Sequence, residues 1–152
     1  MIKKFFLFVI VIAVLLAAAP LGYAAESITQ TWADCTTKVE CLTFAWQADP
    51  NGALIATASN RSIDGYVIQV VTNPGDTAPT DNYGITLKNS DGADVMGGVL
   101  ANRDTADSEI AIPKPDGTNF VEVWVSGTLT LAITGNSVAG ATGAIKIYIR
   151  RP

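Results

Sequence analysis

The segment "NSDGAD" at residues 89–94 comes nearest in this chain to the spacing of a metal site. Asn89, Asp91 and Asp94 resemble half of a calcium loop, in which oxygen ligands at closely spaced positions surround a hard cation. The bidentate Glu that completes such a loop is absent at the corresponding distance. An Asp-Gly pair between alternating runs is independently typical of a hairpin turn. We therefore predict a turn here, with calcium bound by these three residues as the alternative.

The sequence contains few residues or motifs that could catalyse a reaction. The chain contains no histidine, so Ser and Cys nucleophiles lack their usual general base. The G-x-S-x-G and Ser-x-x-Lys motifs and a glycine-rich phosphate loop are also absent from it. Glu109 and Glu122 are a carboxylate pair that could converge from neighbouring strands, but such side chains usually lie on a solvated face. We therefore predict that the protein is not an enzyme and needs no cofactor.

Three tryptophans are candidates for ligand contact, because an exposed aromatic ring can stack on a sugar ring. Trp46 shares a strand face with Phe44, which favours the core. Trp124 shares its face with both an aromatic and an acidic residue, so core packing and ligand contact both stay open. The candidates for ligand binding are therefore Trp124 and Trp32.

The first 24 residues have the pattern of an export signal. Lys3 and Lys4 precede an apolar run at residues 5–19, and Gly22 and Ala24 are the small residues that a signal peptidase requires. The alternative is a retained anchor, but fifteen helical residues span only about 22 Å of a hydrocarbon core roughly 30 Å thick. We predict a signal-peptide helix at residues 1–24, cleavage after Ala24, and no stable membrane insertion afterwards. The mature protein is then periplasmic, cell-surface or extracellular.

Removal of this segment leaves 128 residues with eight basic and fourteen acidic side chains, a net charge of −6. That length suits one domain. A negative chain without a basic run is repelled by phosphate backbones, which argues against nucleic acid as a partner. Cys35 and Cys41, the only cysteines, are predicted to form a disulfide after export.

Short alternating runs separated by Pro, Gly, Asn and Asp predict an all-β fold. We expect one antiparallel β-sandwich or jelly-roll-like domain at residues 42–152, preceded by an N-terminal arm or edge strand at residues 25–41 that the disulfide pins. The nine predicted strands lie at residues 41–47, 54–59, 65–73, 82–89, 93–98, 108–113, 120–127, 128–135 and 144–151.

The order of several short motifs resembles a family of small β-rich proteins encoded in tailed-phage and prophage structural regions. The resemblance spans about residues 42–150 and rests on Pro74-Gly75, residues 79–83, Asp91-Gly92, Asp94-Val95, Gly97-Gly98, Asn102-Arg103, residues 127–131 and residues 148–150. It implies a non-enzymatic β-domain that is part of a virion or a similar assembly. An export signal departs from that family's pattern, because virion proteins assemble in the cytoplasm.

These observations predict an exported structural or interaction protein that associates with itself or with other surface or virion proteins. Edge strands or the N-terminal arm would form the contact between subunits. Two alternatives remain open, a secreted carbohydrate-binding module and a phage virion decoration protein.

Overall fold

The computed structural model describes residues 25–152, and the predicted signal-peptide helix at residues 1–24 lies outside the described residues. The described chain is all-β, with nine strands and no α-helix. It therefore includes no helix that is long and apolar enough to span a bilayer. The strands are β1 (Ser27–Thr36), β2 (Val39–Gln47), β3 (Thr57–Ala58), β4 (Ile63–Pro74), β5 (Gly84–Lys88), β6 (Glu109–Ala111), β7 (Val123–Gly127), β8 (Thr130–Thr134) and β9 (Thr142–Arg150).

Six strands form one antiparallel sheet, here called sheet A, in the order β1-β2-β9-β4-β6, with β7 also paired to β4. The twelve residues of β4 accommodate two partners on the same side, β7 along residues 63–67 and β6 along residues 70–72. The remaining strands form sheet B, in the order β3-β8-β5. Sheet A therefore ends in β1 at one edge and in β6 and β7 at the other.

The core follows from the period-two alternation of the sequence, because successive side chains on a strand point to opposite faces. In β2, Leu42, Phe44 and Trp46 are buried, and Ile145 and Ile147 of β9 lie directly opposite Phe44 and Leu42. Sheet B contributes its own buried residues to the same cluster. Residues of both sheets therefore share one hydrophobic core.

A β-bulge in β4 allows both halves of this long strand to bury side chains in the core. The register against β9 shifts between Val67 and Gln69, so Val67 and Val70 are both buried although they are three positions apart. The extra residue at the bulge shifts the alternation, so odd-numbered residues face the core before it and even-numbered residues face the core after it. Both halves of β4 therefore face the core.

One predicted strand is wrong. Residues 93–98 form turns rather than a strand. Gly97 and Gly98 have φ angles of 63° and 79°, which lie in the left-handed region and cannot continue a strand. The ninth strand is instead β1, in the segment for which the sequence left an arm and an edge strand open.

The predicted disulfide joins Cys35 and Cys41, whose Cα atoms are 5.8 Å apart. Cys35 lies at the irregularity between Asp34 and Thr36 where β1 meets the turn into β2. The bond closes a short loop and contributes about 2.4 kcal/mol in the chain-entropy model. It therefore holds the end of the edge strand β1 on its neighbour.

Candidate functional site

Two of the three residues predicted as calcium ligands, Asn89 and Asp94, have side-chain oxygens that accept hydrogen bonds from backbone amides, and the third, Asp91, is exposed in the turn between them. Asn89 Oδ1 accepts from the amides of Asp91 and Ala93, at 3.1 and 2.9 Å. Gly92 N also donates to Asn89 O at 2.9 Å, and Gly92 has a φ of 83°. This is the geometry of an Asx turn, in which the amide side chain takes the place of a backbone carbonyl.

Asp94 stabilises the next turn in the same manner. Its Oδ1 accepts from the amides of Leu87 and Met96, at 3.2 and 3.1 Å, and its Oδ2 accepts from Gly98 N at 2.8 Å. Within residues 25–152, no three acidic, cysteine or histidine side chains are grouped so that they could hold a metal ion. The observed bonds are those of a folded turn, and calcium binding by Asn89, Asp91 and Asp94 stays a prediction.

Three further aspartates stabilise turns by the same means. Asp49, Asp104 and Asp116 accept hydrogen bonds from backbone amides two to four positions later in the chain. These bonds favour the charged carboxylate, so the pKa of each is lowered. The strongest effect is at Asp116, where the amide of Asn119 is the largest cause and the pKa falls to about 2. These three carboxylates therefore stabilise the loops in which they lie.

The two carboxylates considered for catalysis each face an arginine, and Glu122 lies in the loop before β7 rather than in a strand. Glu109 Oε2 lies 3.4 Å from Arg103 Nη1 and accepts from Asp104 N at 2.7 Å. Glu122 binds the guanidinium of Arg150, with Nε to Oε2 at 3.1 Å, and this hydrogen bond raises the pKa of Arg150. Each carboxylate is thus engaged in an ion pair of its own.

The three tryptophans lie in different environments. Trp46 is only 3% exposed and packs against Tyr83, with ring centroids 6.1 Å apart, which confirms its place in the core. Trp32 is half-buried, donates from Nε1 to Asn60 Oδ1 at 2.7 Å and is covered by Arg61, 4.4 Å from the ring centroid. Arg61 therefore covers part of the Trp32 ring, and ligand binding by Trp32 stays a prediction.

Trp124 keeps 44% of its surface exposed on the face of sheet A that points away from the core. Its ring meets Tyr66 edge-on, with centroids 5.0 Å apart. The guanidinium of Arg150 lies 4.5 Å from the Tyr66 ring centroid and is held by Glu122. An exposed indole beside an Arg-Glu pair can stack on a sugar ring and hydrogen-bond to its hydroxyls.

The sequence did not predict an apolar strip at the β6–β7 edge of sheet A. Ile110 and Phe120 are each 66% exposed, and Ile112 and Val121 are each 44% exposed. These four residues are called the apolar strip below. Lys114 lies beside it, with Nζ 5.3 Å from the Phe120 ring centroid. In the sequence, residues 110–113 are all apolar and do not alternate with polar residues, which could have indicated an apolar surface. Only the strand order shows that these residues lie at an edge of the sheet.

A small pocket lies at the opposite, β1 edge of the sheet. It is lined by Glu26, Ser27, Ile28, Ile55 and Thr57 and has a volume of about 90 Å³. Ile55 is 72% exposed, and its amide donates to Glu26 Oε2 at 2.8 Å. The pocket is called the edge pocket below, and it combines apolar walls with one acidic group.

Comparison with known proteins adds no relative to this picture, since no family model, curated protein or solved structure matches the chain. The resemblance to β-rich proteins of phage structural regions therefore remains a prediction from the motifs alone.

Proposed function

We propose that this chain is an exported, non-enzymatic structural protein whose copies associate through the edges of sheet A. The observation that carries the proposal is that sheet A leaves both of its edges open within residues 25–152. An open edge presents unpaired backbone N–H and C=O groups, which a strand of another chain can bind. The apolar strip at one of these edges adds side chains of the kind found in the centres of protein interfaces.

Three further points support the proposal. A shared core between two antiparallel sheets is what a β-sandwich requires, and we propose that architecture for the domain. The disulfide suits an oxidising compartment, as expected after cleavage of the predicted signal peptide. The motif order of phage structural-region proteins favours a role in a surface or virion-like assembly.

The molar mass of the purified protein tests this proposal. Size-exclusion chromatography with light scattering should give a mass above that of the monomer, rising with protein concentration. Phe120→Glu should lower the mass, because it puts a charge into the apolar strip, whereas Trp124→Ala on the outer face should leave it unchanged. A wild-type protein that stays monomeric at every concentration would rule out self-association.

A carbohydrate-binding module is the second candidate, and the exposure of Trp124 is the observation that favours it. Affinity electrophoresis in gels that contain soluble glucans, xylan or chitin derivatives tests it. If the candidate is right, one of these polymers retards the wild type and Phe120→Glu but not Trp124→Ala. Equal migration of all three proteins in every gel would exclude Trp124 as a sugar platform.

A further inference from the structure

We infer that copies of this chain join head to tail, with the apolar strip of one copy seated on the β1 edge of the next. The inference rests on the proposed self-association and names the surfaces that carry it. The occupant of each edge is a second copy of this chain. Backbone pairing, apolar shape and charge each support this assignment.

The backbone of β1 is unusually receptive to another strand. It is ten residues long and pairs with β2 on one side, while no other strand of residues 25–152 pairs with its other side. Residues 27–33 contain no charge and no proline, so they lack the features by which proteins usually protect an edge. Their outward-facing side chains are small, with Thr29, Thr31 and Ala33 exposed. A second strand can therefore approach β1 closely.

The side chains at the two edges differ in a complementary way. Phe120 projects from one edge with two thirds of its surface exposed, and the edge pocket at the other edge offers Ile28 and Ile55 as walls. The ammonium of Lys114 accompanies Phe120, and the carboxylate of Glu26 borders the pocket. A Phe120 ring in the edge pocket therefore brings Lys114 of one copy near Glu26 of the next.

Symmetric pairing of either edge with itself lacks this match. Two apolar strips face to face bring two Lys114 side chains together, and like charges in a contact oppose binding. Two β1 edges face to face place Glu26 near Glu26 and leave both pockets without an aromatic ring. Only the head-to-tail contact joins unlike charges and fills the pocket, and it produces open chains or closed rings.

A mixing experiment with two variants tests this inference. Ile55→Glu changes the edge pocket and Phe120→Glu changes the apolar strip, and both residues are exposed enough for the fold to tolerate the charge. Each variant alone should be monomeric by sedimentation velocity. An equimolar mixture should form a species of twice the monomer mass and nothing larger, because one intact strip then meets one intact pocket.

Other outcomes identify what has failed. If only one variant loses association and mixing restores nothing, the contact is symmetric and the head-to-tail arrangement is wrong. If neither variant is impaired, the surfaces named here are wrong while self-association stands. If both are impaired and the mixture stays monomeric, the head-to-tail pairing of strip with pocket is wrong. If the wild type is itself monomeric, the proposed function fails first. As a further check, Lys114→Glu should weaken association and Glu26→Lys in the mixed partner should restore it.

Discussion

The two sheets differ in how far other parts of the chain cover their edge strands. In sheet B, β3 is only two residues long, and the outer edge of β5 is covered by the segment at residues 94–103. Three backbone bonds attach this cover, from Val95 N to Leu87 O, Ile85 N to Leu100 O and Arg103 N to Tyr83 O, at 2.8 to 2.9 Å. In sheet A, β1 offers ten residues with no comparable cover within the described part of the chain.

This difference shows that the fold contains the means to protect an edge, including the three-residue strand β6 in sheet A, but that no strand or backbone cover protects β1 within residues 25–152. Short strands and covering segments are common protections against unwanted strand pairing. Their presence at sheet B makes the ten-residue, uncovered edge strand β1 informative. The open β1 edge is therefore consistent with the proposed contact with another subunit.

The largest expected effect comes from loosening the cover of sheet B. Asp94→Ala removes the acceptor of three backbone amides, and we expect it to lower the free energy of unfolding by about 3 kcal/mol. Asn89→Ala is the matched control in the neighbouring exposed turn and should cost about 1 kcal/mol. Urea unfolding measures both values.

Equal costs for these two variants would contradict the role given to Asp94. A rise in the melting temperature of the wild type with added calcium, absent in Asp91→Ala, would instead support the calcium alternative.

Removal of the disulfide should have the next largest effect. Replacing Cys35 and Cys41 by Ala should cost about 2.4 kcal/mol, because the unfolded chain regains the entropy of the loop. The end of β1 should also exchange its amide hydrogens faster, while sheet B should not change. If β1 kept its protection in this variant, pairing with β2 alone would suffice to hold the edge strand.

Gly97 provides a third test, at the point where the cover of sheet B meets the loop after β6. A Cβ at Gly97 would lie 2.1 Å from the carbonyl oxygen of Lys114, whereas at Gly98 it would meet nothing within 4 Å. Both residues have positive φ, so the Gly97→Ala and Gly98→Ala variants share the backbone penalty of about 1 kcal/mol. Only Gly97→Ala should cost a further 1 kcal/mol or so from the clash. Calorimetric melting of the two variants gives the difference, and identical melting temperatures would contradict the close approach.

An effect confined to alkaline pH concerns Tyr83, which precedes β5 and pairs with Arg103 of the cover. Burial raises the pKa of Tyr83 from 10.0 to about 12. Because the folded-state pKa is the higher one, its contribution to stability is complete below pH 10 and is lost as the pH rises toward 12. The difference in unfolding free energy between wild type and Tyr83→Phe should therefore change across this window. Parallel pH curves for the two proteins would show that Tyr83 ionises as readily in the fold as in the unfolded chain.

Local patterns were sufficient to predict the strands that build the core. The alternation around Phe44 and Ile147 depends only on neighbouring residues, so β2 and β9 could be placed within a few positions. The strand predicted at residues 93–98 is wrong because the conformation of this segment depends on contacts with other parts of the chain. The Asp94 carboxylate binds an amide of the preceding strand β5, a contact that residue types do not encode.

The candidate interface could not be predicted from residue types. Phe120 lay at the start of a predicted strand, but β7 begins at Val123, which leaves Phe120 in the loop before it. Its exposure depends on β6 and β7 sharing one side of β4, a pairing between distant parts of the chain. The exposure of Trp124 depends on the same pairing, which is why the sequence left it undecided.

Amide hydrogen exchange measured at several protein concentrations shows directly whether the two edges of sheet A join the subunits, because amides in a subunit contact become protected. We expect residues 27–33 and 110–121 to gain protection together as the concentration rises, while the exposed turn at residues 89–92 does not change. Exchange at both edges of sheet A that is independent of concentration would contradict the claim that these edges join the subunits.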